Sequence, residues 1–511
     1  MELIDNNSVY QTIWSRFPFR GFSQSDGFIS YWKKWALRIL TVLEKKNVGV
    51  VAETGAGKTI LAHLVATARY QKILFLVPEK ILAHQHQSLL RAIAGEGMYT
   101  TQVVLGSTPP RKRRWENDAH IIFATPQTFV ADFNRYKVNM DFDLVIFDEF
   151  HRGVGKYDYT KVAGLCYALQ VRTLLLSASP GKNKQKIDAI AGLLHIDHFL
   201  FIPHPQQKKM KSTSVLWVDP DERIKKIEEV VHPLLQDITG KIKQWAPSFE
   251  VKSNMPQKQL GRIELFAKHL YPCKQKFELL FLLAAHRKLT YLLQAALTET
   301  YTVAHAYWLR LFTDASKSGQ YLSSQRSLQK LFSEIILWDD MSHPKMKMLM
   351  KRIQSYASFE RGIIFVNNKK AGVVIKDIVK KLSLRSEVLF GRTSIKKQQR
   401  LLEKIRTGEV DFLVATSVIE EGVSVPEIGC VINFSMPLTE QSRIQRMGRT
   451  GRTVPGNVEY IVLNHPLDKI PFFVTARGAR TMRELISGVS VSAHTRIRRK
   501  KIPENLDLFF D

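Results

Sequence analysis

Residues 50–63 read VVAETGAGKTILAH, a glycine-rich turn between a run of valines and a segment with helical patterning. The stretch Ala52-Glu53-Thr54-Gly55-Ala56-Gly57-Lys58-Thr59 fits the phosphate-binding P-loop pattern, except that alanine stands in place of the first glycine. Between a buried strand and a helix, the consecutive amides of such a turn converge on one point. The positive end of the helix dipole lies behind them. Thr54, Gly55, Gly57, Lys58 and Thr59 are therefore candidates to hold a nucleotide, with Lys58 reaching the β and γ phosphates and Thr59 holding Mg2+.

The surrounding pattern is that of a parallel sheet. Short apolar runs at 48–52, 73–77, 120–124, 144–148 and 173–177 alternate with helix-like segments. Runs of this kind are strands buried on both faces. A second set occupies 362–366, 387–390, 411–417, 430–435 and 458–463, which implies a second α/β domain. From about 220 to 340 strand pattern is nearly absent, and residues 277–312 carry apolar side chains on nearly every face of a helix. They read as the packing helices of an all-helical insert. The expected division is an arm (1–29), a first domain (30–219), the insert (220–341), a second domain (342–480) and a basic tail (481–511).

The chain of 511 residues is too long for one hydrophobic core. Its 75 Lys and Arg against 47 Asp and Glu give a net charge of +28. A field of that size points first to a polyanionic partner, nucleic acid, with a membrane surface or a generally basic proteome as the alternatives. Cys166, Cys273 and Cys430 lie far apart without CxxC spacing, which argues against a zinc site or a disulfide framework. The N-terminal residues lack a signal-peptide pattern, and no apolar run approaches the ~18 residues of a bilayer span. An intracellular location follows: cytoplasm or nucleoid in an archaeon, nucleus in a eukaryote.

A nucleotide cradle needs acidic partners. The run LVIFDEFH at 144–151 ends an all-apolar strand in two carboxylates. Asp148 is placed to bind Mg2+ through water, and Glu149 to orient the water that attacks the γ phosphate. Positive charge on the far side of the phosphates would come from QSRIQRMGRTGR at 441–452, with Arg446, Arg449 and Arg452. Arg449 and Arg452 could act as arginine fingers if the second domain closes on the first.

Together these motifs resemble a superfamily 2 helicase: DEFH as a DEAH-like motif, SAS at 177–179 and QRMGRTGR, in the expected order over most of residues 30–475. VPEKILAHQ (77–85), ATPQTF (124–129) and ATSVIEEGVSVPE (415–427) fit further motifs of that superfamily. DEFHRGVGKYDY, SASPG, HPK at 343–345 and the helical insert look most like the Hef/FANCM group, which includes archaeal helicases acting on forked and branched DNA. The resemblance implies two RecA-like domains, ATP and Mg2+ as cofactors, and translocation from 3′ to 5′. It also implies roles for particular residues. Gln445 would touch the γ phosphate. His151, Ser177, Ser179 and Gly422 would couple hydrolysis to motion, and Gln85, Thr125 and Thr416 would contact the nucleic acid. The insert would bear on the branch point. RNA-directed relatives of the RIG-I type share these motifs, and a non-hydrolysing scaffold is the alternative of a different class.

Three departures stand out. No adenine-reading glutamine is evident in YWKKWALRIL at 31–40, and Ser424 replaces a common aspartate. Nothing resembles the nuclease that follows the helicase part in full-length archaeal Hef, so no nuclease activity is expected. Near its end the sequence carries a basic cluster (Arg496, Arg498, Arg499, Lys500, Lys501) and then Leu506, Phe509 and Phe510. The cluster suits phosphate contacts, nuclear import or a disordered tail. The terminal apolar residues suit docking on the body or a partner site. Their spacing resembles the peptide that binds the sliding clamp PCNA, with Pro503 where glutamine is usual.

A groove that tracks the phosphate backbone should lose affinity for single strands with a log-log salt slope of roughly −0.7 per phosphate contacted. Titrating binding against potassium chloride checks this, and a shallow slope counts against such a groove.

Overall fold

Side chains of successive strand residues point to opposite faces, and the central strands here bury both. The computed structural model describes residues 13–20, 26–52, 56–113, 115, 118–136, 138–153, 157–178, 184–203, 211–252, 257–356, 361–391, 393–419, 428–451 and 455–489. Within them, β1 (Val48–Ala52), β2 (Ile73–Leu76), β3 (Thr101–Val104), β4 (Ile121–Ala124), β5 (Leu144–Phe147), β6 (Arg172–Ser177) and β7 (His198–Ile202) form one sheet in the order β3-β4-β2-β5-β6-β1-β7. Every pairing in it is parallel. Val48, Val50, Phe75 and Ile146 belong to the cluster on one face, and Val51, Leu74, Val145 and Phe147 to that on the other.

The second sheet, in the order β10-β11-β9-β12-β13-β8, is also parallel. It comprises β8 (Lys211–Val218), β9 (Gly362–Phe365), β10 (Ser386–Leu389), β11 (Phe412–Ala415), β12 (Cys430–Asn433) and β13 (Gly456–Leu463). Two doubly covered parallel sheets with a helical segment between them are the expected α/β class. One assignment changes. Residues 211–218, read from sequence as the end of the first domain, pair with β13 from Lys211↔Gly456 to Val218↔Leu463. They belong to the second sheet, and the chain has crossed between domains before the insert begins.

The insert is built of helices Glu222–Trp245, Gln257–His269, Lys274–Gln294, Tyr301–Phe312, Lys317–Ser323 and Arg326–Ile335. A π-helical turn, Ala295–Glu299, joins two of them. One stripe, including Leu279, Leu282, Leu289 and Leu292, is buried, while Phe277, Leu309 and Phe312 stay exposed. The buried stripe shares one hydrophobic cluster with Ile364, Val414 and Ile432 of the second sheet, so the insert packs on that domain. Among the described residues no helix is long and apolar enough to cross a membrane. Cys166, Cys273 and Cys430 are not joined in disulfides.

The segment 13–20, part of the expected arm, is joined to the first domain. Its Phe19 and Arg20 amides donate to the carbonyls of Ile93 and Ala92, at 3.2 and 2.8 Å. Trp14 is fully buried, and its indole donates to the Leu64 carbonyl at 3.1 Å, on the helix that leaves the P-loop. Trp14→Ala should therefore cost about 3–5 kcal/mol. Calorimetry is expected to show a lowered first unfolding transition, whereas a detachable arm would leave it in place.

Candidate functional site

The parallel register of β5, β6 and β1 sets three loops side by side on the carboxyl rim of the first sheet. Ligands of open α/β sheets bind at this rim. The loop after β1 leads into the helix Lys58–Arg69, whose first residue is the P-loop lysine. Gly57, just before it, has φ +88°, in the left-handed region where glycine carries no steric penalty. A Cβ there would also lie 2.3 Å from Trp32 Nε1. That indole donates to the Ala56 carbonyl at 3.0 Å, so Trp32 clamps the turn from behind. Trp32 lies inside the segment 31–40 that lacks the expected glutamine, and nothing in the sequence marks it. Glu53, Thr54 and Gly55 lie outside the described residues; Thr59 is half-buried in the first turn of the helix.

From the end of β5, Glu149 Oε1 meets Lys58 Nζ at 2.6 Å. Its other oxygen faces His151 Nδ1 at 3.3 Å and the Ala178 amide at 3.5 Å. His151 Nδ1 also bonds Ser177 Oγ at 2.8 Å, at the end of β6. Burial by itself would raise the Glu149 carboxyl, but Lys58 and His151 override it and hold the group well below the usual carboxylate range. Glu149 therefore stays ionised through the acid side of neutrality. Its φ of +51° is left-handed, a conformation that costs a non-glycine residue of order 1–3 kcal/mol. Tyr159 Oη donates to the adjoining Asp148 carbonyl at 2.6 Å and fixes this corner.

Asp148 is buried, with Oδ1 accepting from the Glu149 amide at 3.1 Å and Oδ2 facing His86 Nε2 at 3.3 Å. Behind His86 the ring of His63 is fully buried, and burial and the neighbouring His86 hold it neutral, well below its ordinary range. Both histidines sit in helical stretches whose sequence gives no sign that they point inward beneath a carboxylate. The hydroxyl of Thr59 and the carboxylate of Asp148 are hard oxygen donors of the kind that suit Mg2+.

The second domain meets this rim through the helix Glu440–Met447. Ile444 on that helix packs against the first sheet's cluster, and Ile81 of the first domain enters the second domain's cluster. Gln445, next to Ile444, and Arg449, just past the end of the helix, are both buried. Their neighbours differ from expectation. Arg446 turns into its own domain: its guanidinium donates to Ser435 O at 2.8 Å, Asn367 Oδ1 at 3.0 Å and Asn433 Oδ1 at 3.3 Å, over the Phe365 ring. Arg443 likewise lies over Tyr460, 4.1 Å from the ring centroid. Both arginines hold the helix onto its own domain.

Of the other candidates, Thr125 follows β4, with its hydroxyl 2.8 Å from that of Thr128. Gln85 is half-buried on the helix Lys80–Ala94, and Thr416 is buried just past β11. These three lie along the rims rather than in the Lys58–Glu149 cluster. Ser179, Gly422, Arg452, Leu506, Phe509 and Phe510 lie outside the described residues.

A second titratable cluster, Glu228, His232 and His465, has its ligand atoms within 4.8 Å of one another. The Leu467 amide donates to His465 Nδ1 at 3.2 Å, so the neutral ring carries its proton on Nε2, toward Glu228 Oε1 at 2.9 Å. A metal at Nε2 needs the opposite tautomer, and the cluster is better described as a hydrogen-bonded joint between insert and second domain.

The DEAD/DEAH box helicase model matches residues 36–187, and the helicase conserved C-terminal domain model matches 344–454. The crystal structure of the Pyrococcus furiosus Hef helicase domain is similar with a TM-score of 0.59 and 27% identity, over 87% of this chain and 97% of that one. The chain belongs to the superfamily 2 helicases of the Hef/FANCM group. The ATP-dependent DNA helicase fml1 of Schizosaccharomyces pombe is 25% identical over 88% of this chain and 59% of its own length. A protein of Arabidopsis thaliana named DEAD-box ATP-dependent RNA helicase FANCM is 26% identical over 81% of this chain and 33% of its own. This Hef/FANCM-type chain thus spans between a third and three fifths of these two relatives.

Gly57→Ala tests the clamp on the loop. It should weaken binding of a fluorescent ATP analogue by about tenfold or more, since the added methyl meets both an unfavourable φ and the Trp32 ring. The same change in a Trp32→Leu background should cost less. Equal losses in the two backgrounds would remove Trp32 from the account.

Proposed function

We propose that this chain is an ATP-driven DNA helicase or translocase that acts on forked or branched DNA in replication-fork repair, moving 3′ to 5′. The observation that carries the reading is the bonded series Lys58–Glu149–His151–Ser177, supported by the packing of Ile444, next to Gln445, on the first domain. In this reading the P-loop amides and Lys58 bind the β and γ phosphates. Lys58 is shared between phosphate and Glu149, so a bound phosphate loosens the ion pair and leaves the carboxylate to orient water. Thr59 and Asp148 would hold Mg2+, which when bound neutralises phosphate charge. Arg449 and Arg452 would stabilise the transition state from the second domain, so hydrolysis would require closure.

His151 offers a path by which occupancy of the γ-phosphate position reaches Ser177 and the loop after β6. Gln85, Thr125 and Thr416, on the rims of both domains, would grip the backbone of one strand, and alternate closing and opening would step the protein along it. Phosphate contacts carry no sequence information, so preference for branched DNA would come from the insert. The names of relatives keep RNA in view as a second substrate, since one of them is called an RNA helicase. Leu506, Phe509 and Phe510 would engage a sliding clamp such as PCNA, on the strength of their spacing alone.

Glu149→Gln should lower turnover by about 10²–10⁴-fold while leaving nucleotide affinity nearly unchanged. Turnover within a few-fold of the parent would end the assignment of Glu149. ATPase and unwinding should be compared on a fork, a Holliday junction, matched single strands and duplex RNA. Greatest stimulation by the fork supports the reading, and greatest stimulation by duplex RNA would replace DNA as the substrate. Deleting residues 503–511 should abolish binding to the clamp, and unchanged affinity would remove that partner.

A further inference from the structure

The π-helical turn Ala295–Glu299 interrupts the insert where it touches the second domain. Such turns add a residue to a helix and release carbonyls from the regular bonding ladder. Two of those carbonyls are taken by the HPK motif, for which the hydrolytic site gives no use. His343 is fully buried, and burial and nearby Lys345 push its ring down to about 3. Its Nδ1 accepts from the Lys345 amide at 3.2 Å, so the proton sits on Nε2, which faces the Ala296 carbonyl at 3.3 Å. Lys345 Nζ, also fully buried, donates to the Thr298 carbonyl at 3.0 Å and to Asp468 Oδ2 at 2.7 Å. Asp468 in turn accepts from the Leu463 amide at the end of β13, at 2.9 Å. The turn is therefore fixed to the second sheet rather than resting on it.

The last residue of the turn makes a further link. Glu299 is buried, and its Oε2 accepts from Ser435 Oγ at 3.0 Å. Ser435, just past β12, passes its carbonyl to Arg446 at 2.8 Å. Arg446 is the residue after Gln445 and two after Ile444, which packs on the first domain. Burial raises the Glu299 carboxyl to about 7 against the opposing pull of Lys345 and Ser435. A leucine would fill the same space without that desolvation penalty, so the geometry marks a polar connection kept at some cost in stability.

We propose that Glu299 is a positioning residue that carries engagement of the helical insert to the helix 440–447 through Ser435 and Arg446. A shift of the insert on branched DNA would move the π turn, and with it the hydroxyl and carbonyl of Ser435 that seat Arg446. Gln445 and Arg449, its neighbours along the chain, would follow, with Ile444 on the first domain. Packed interfaces respond to such small displacements by switching between arrangements rather than by yielding gradually. The proposal rests on the reading of the chain as a DNA-stimulated ATPase.

The test uses the full chain with Glu299→Gln, Glu299→Ala and Ser435→Ala, a synthetic fork as the probe, and unstimulated and fork-stimulated turnover measured with fork affinity. Glu299→Ala and Ser435→Ala should lower fork-stimulated turnover roughly tenfold, with unstimulated turnover and fork affinity within about twofold of the parent. Glu299→Gln keeps an acceptor for Ser435 and should recover most of the stimulation. Loss of stimulated and unstimulated turnover in parallel would mean a merely structural role and overturn the proposal. So would full stimulation in both alanine variants. A parent protein that no nucleic acid stimulates would instead sink the functional reading, which separates the two failures.

Discussion

Lys58 and Glu149 meet at 2.6 Å across 91 positions of sequence, and the rest of the first domain serves to make that meeting possible. Only parallel strands end on the same rim, and the order β5-β6-β1 sets the acidic corner two strands from the loop that leads to Lys58. Glu149 is buried, Lys58 is largely shielded from water, and His151 is the third partner, so each charge leans on the other. Removing one member of such a pair strands the other, at a cost well above that of a surface salt bridge. The corner also holds a non-glycine residue at positive φ, which persists because Tyr159 and the strand end over-determine it.

Much of this was legible in the sequence because strands buried on both faces are written as apolar runs. All ten runs read as strands are strands in the structure, within a few residues at the ends. Among the described residues, the three strands that escaped notice, β3, β7 and β8, are edge strands. Half-solvated and mixed in composition, as in TQVV and KSTSVLWV, they lack the signal that burial imposes. Missing β8 also misplaced the domain boundary. Lys58 and the carboxylates stand out in the sequence because each follows an apolar strand at a short spacing, and the structure brings Lys58 and Glu149 together. His86, His63 and Trp32 were not, because a histidine or tryptophan within a helical pattern looks the same whether it supports a site or faces water.

The arginines show a different limit. Sequence shows four cations in RIQRMGRTGR and cannot rank them. In the structure Arg443 and Arg446 lie over aromatic rings of their own domain, and Arg446 also donates to the Ser435 carbonyl, while Arg449 sits buried beyond the helix that faces the first domain. Planar guanidinium suits both tasks, stacking as well as anion binding. Charge count in a basic motif therefore overstates how many of its members are available to a phosphate.

The placement of β8 changes how the molecule can be taken apart. A fragment ending at residue 219 would carry away a strand whose eight partners all lie in β13, leaving the remaining half with an unprotected sheet margin, a known template for aggregation. Dissection into halves that each stay soluble therefore belongs in the stretch before Lys211. The helical insert, lying between β8 and β9, is then a loop grown out of the second sheet and not a link between two modules.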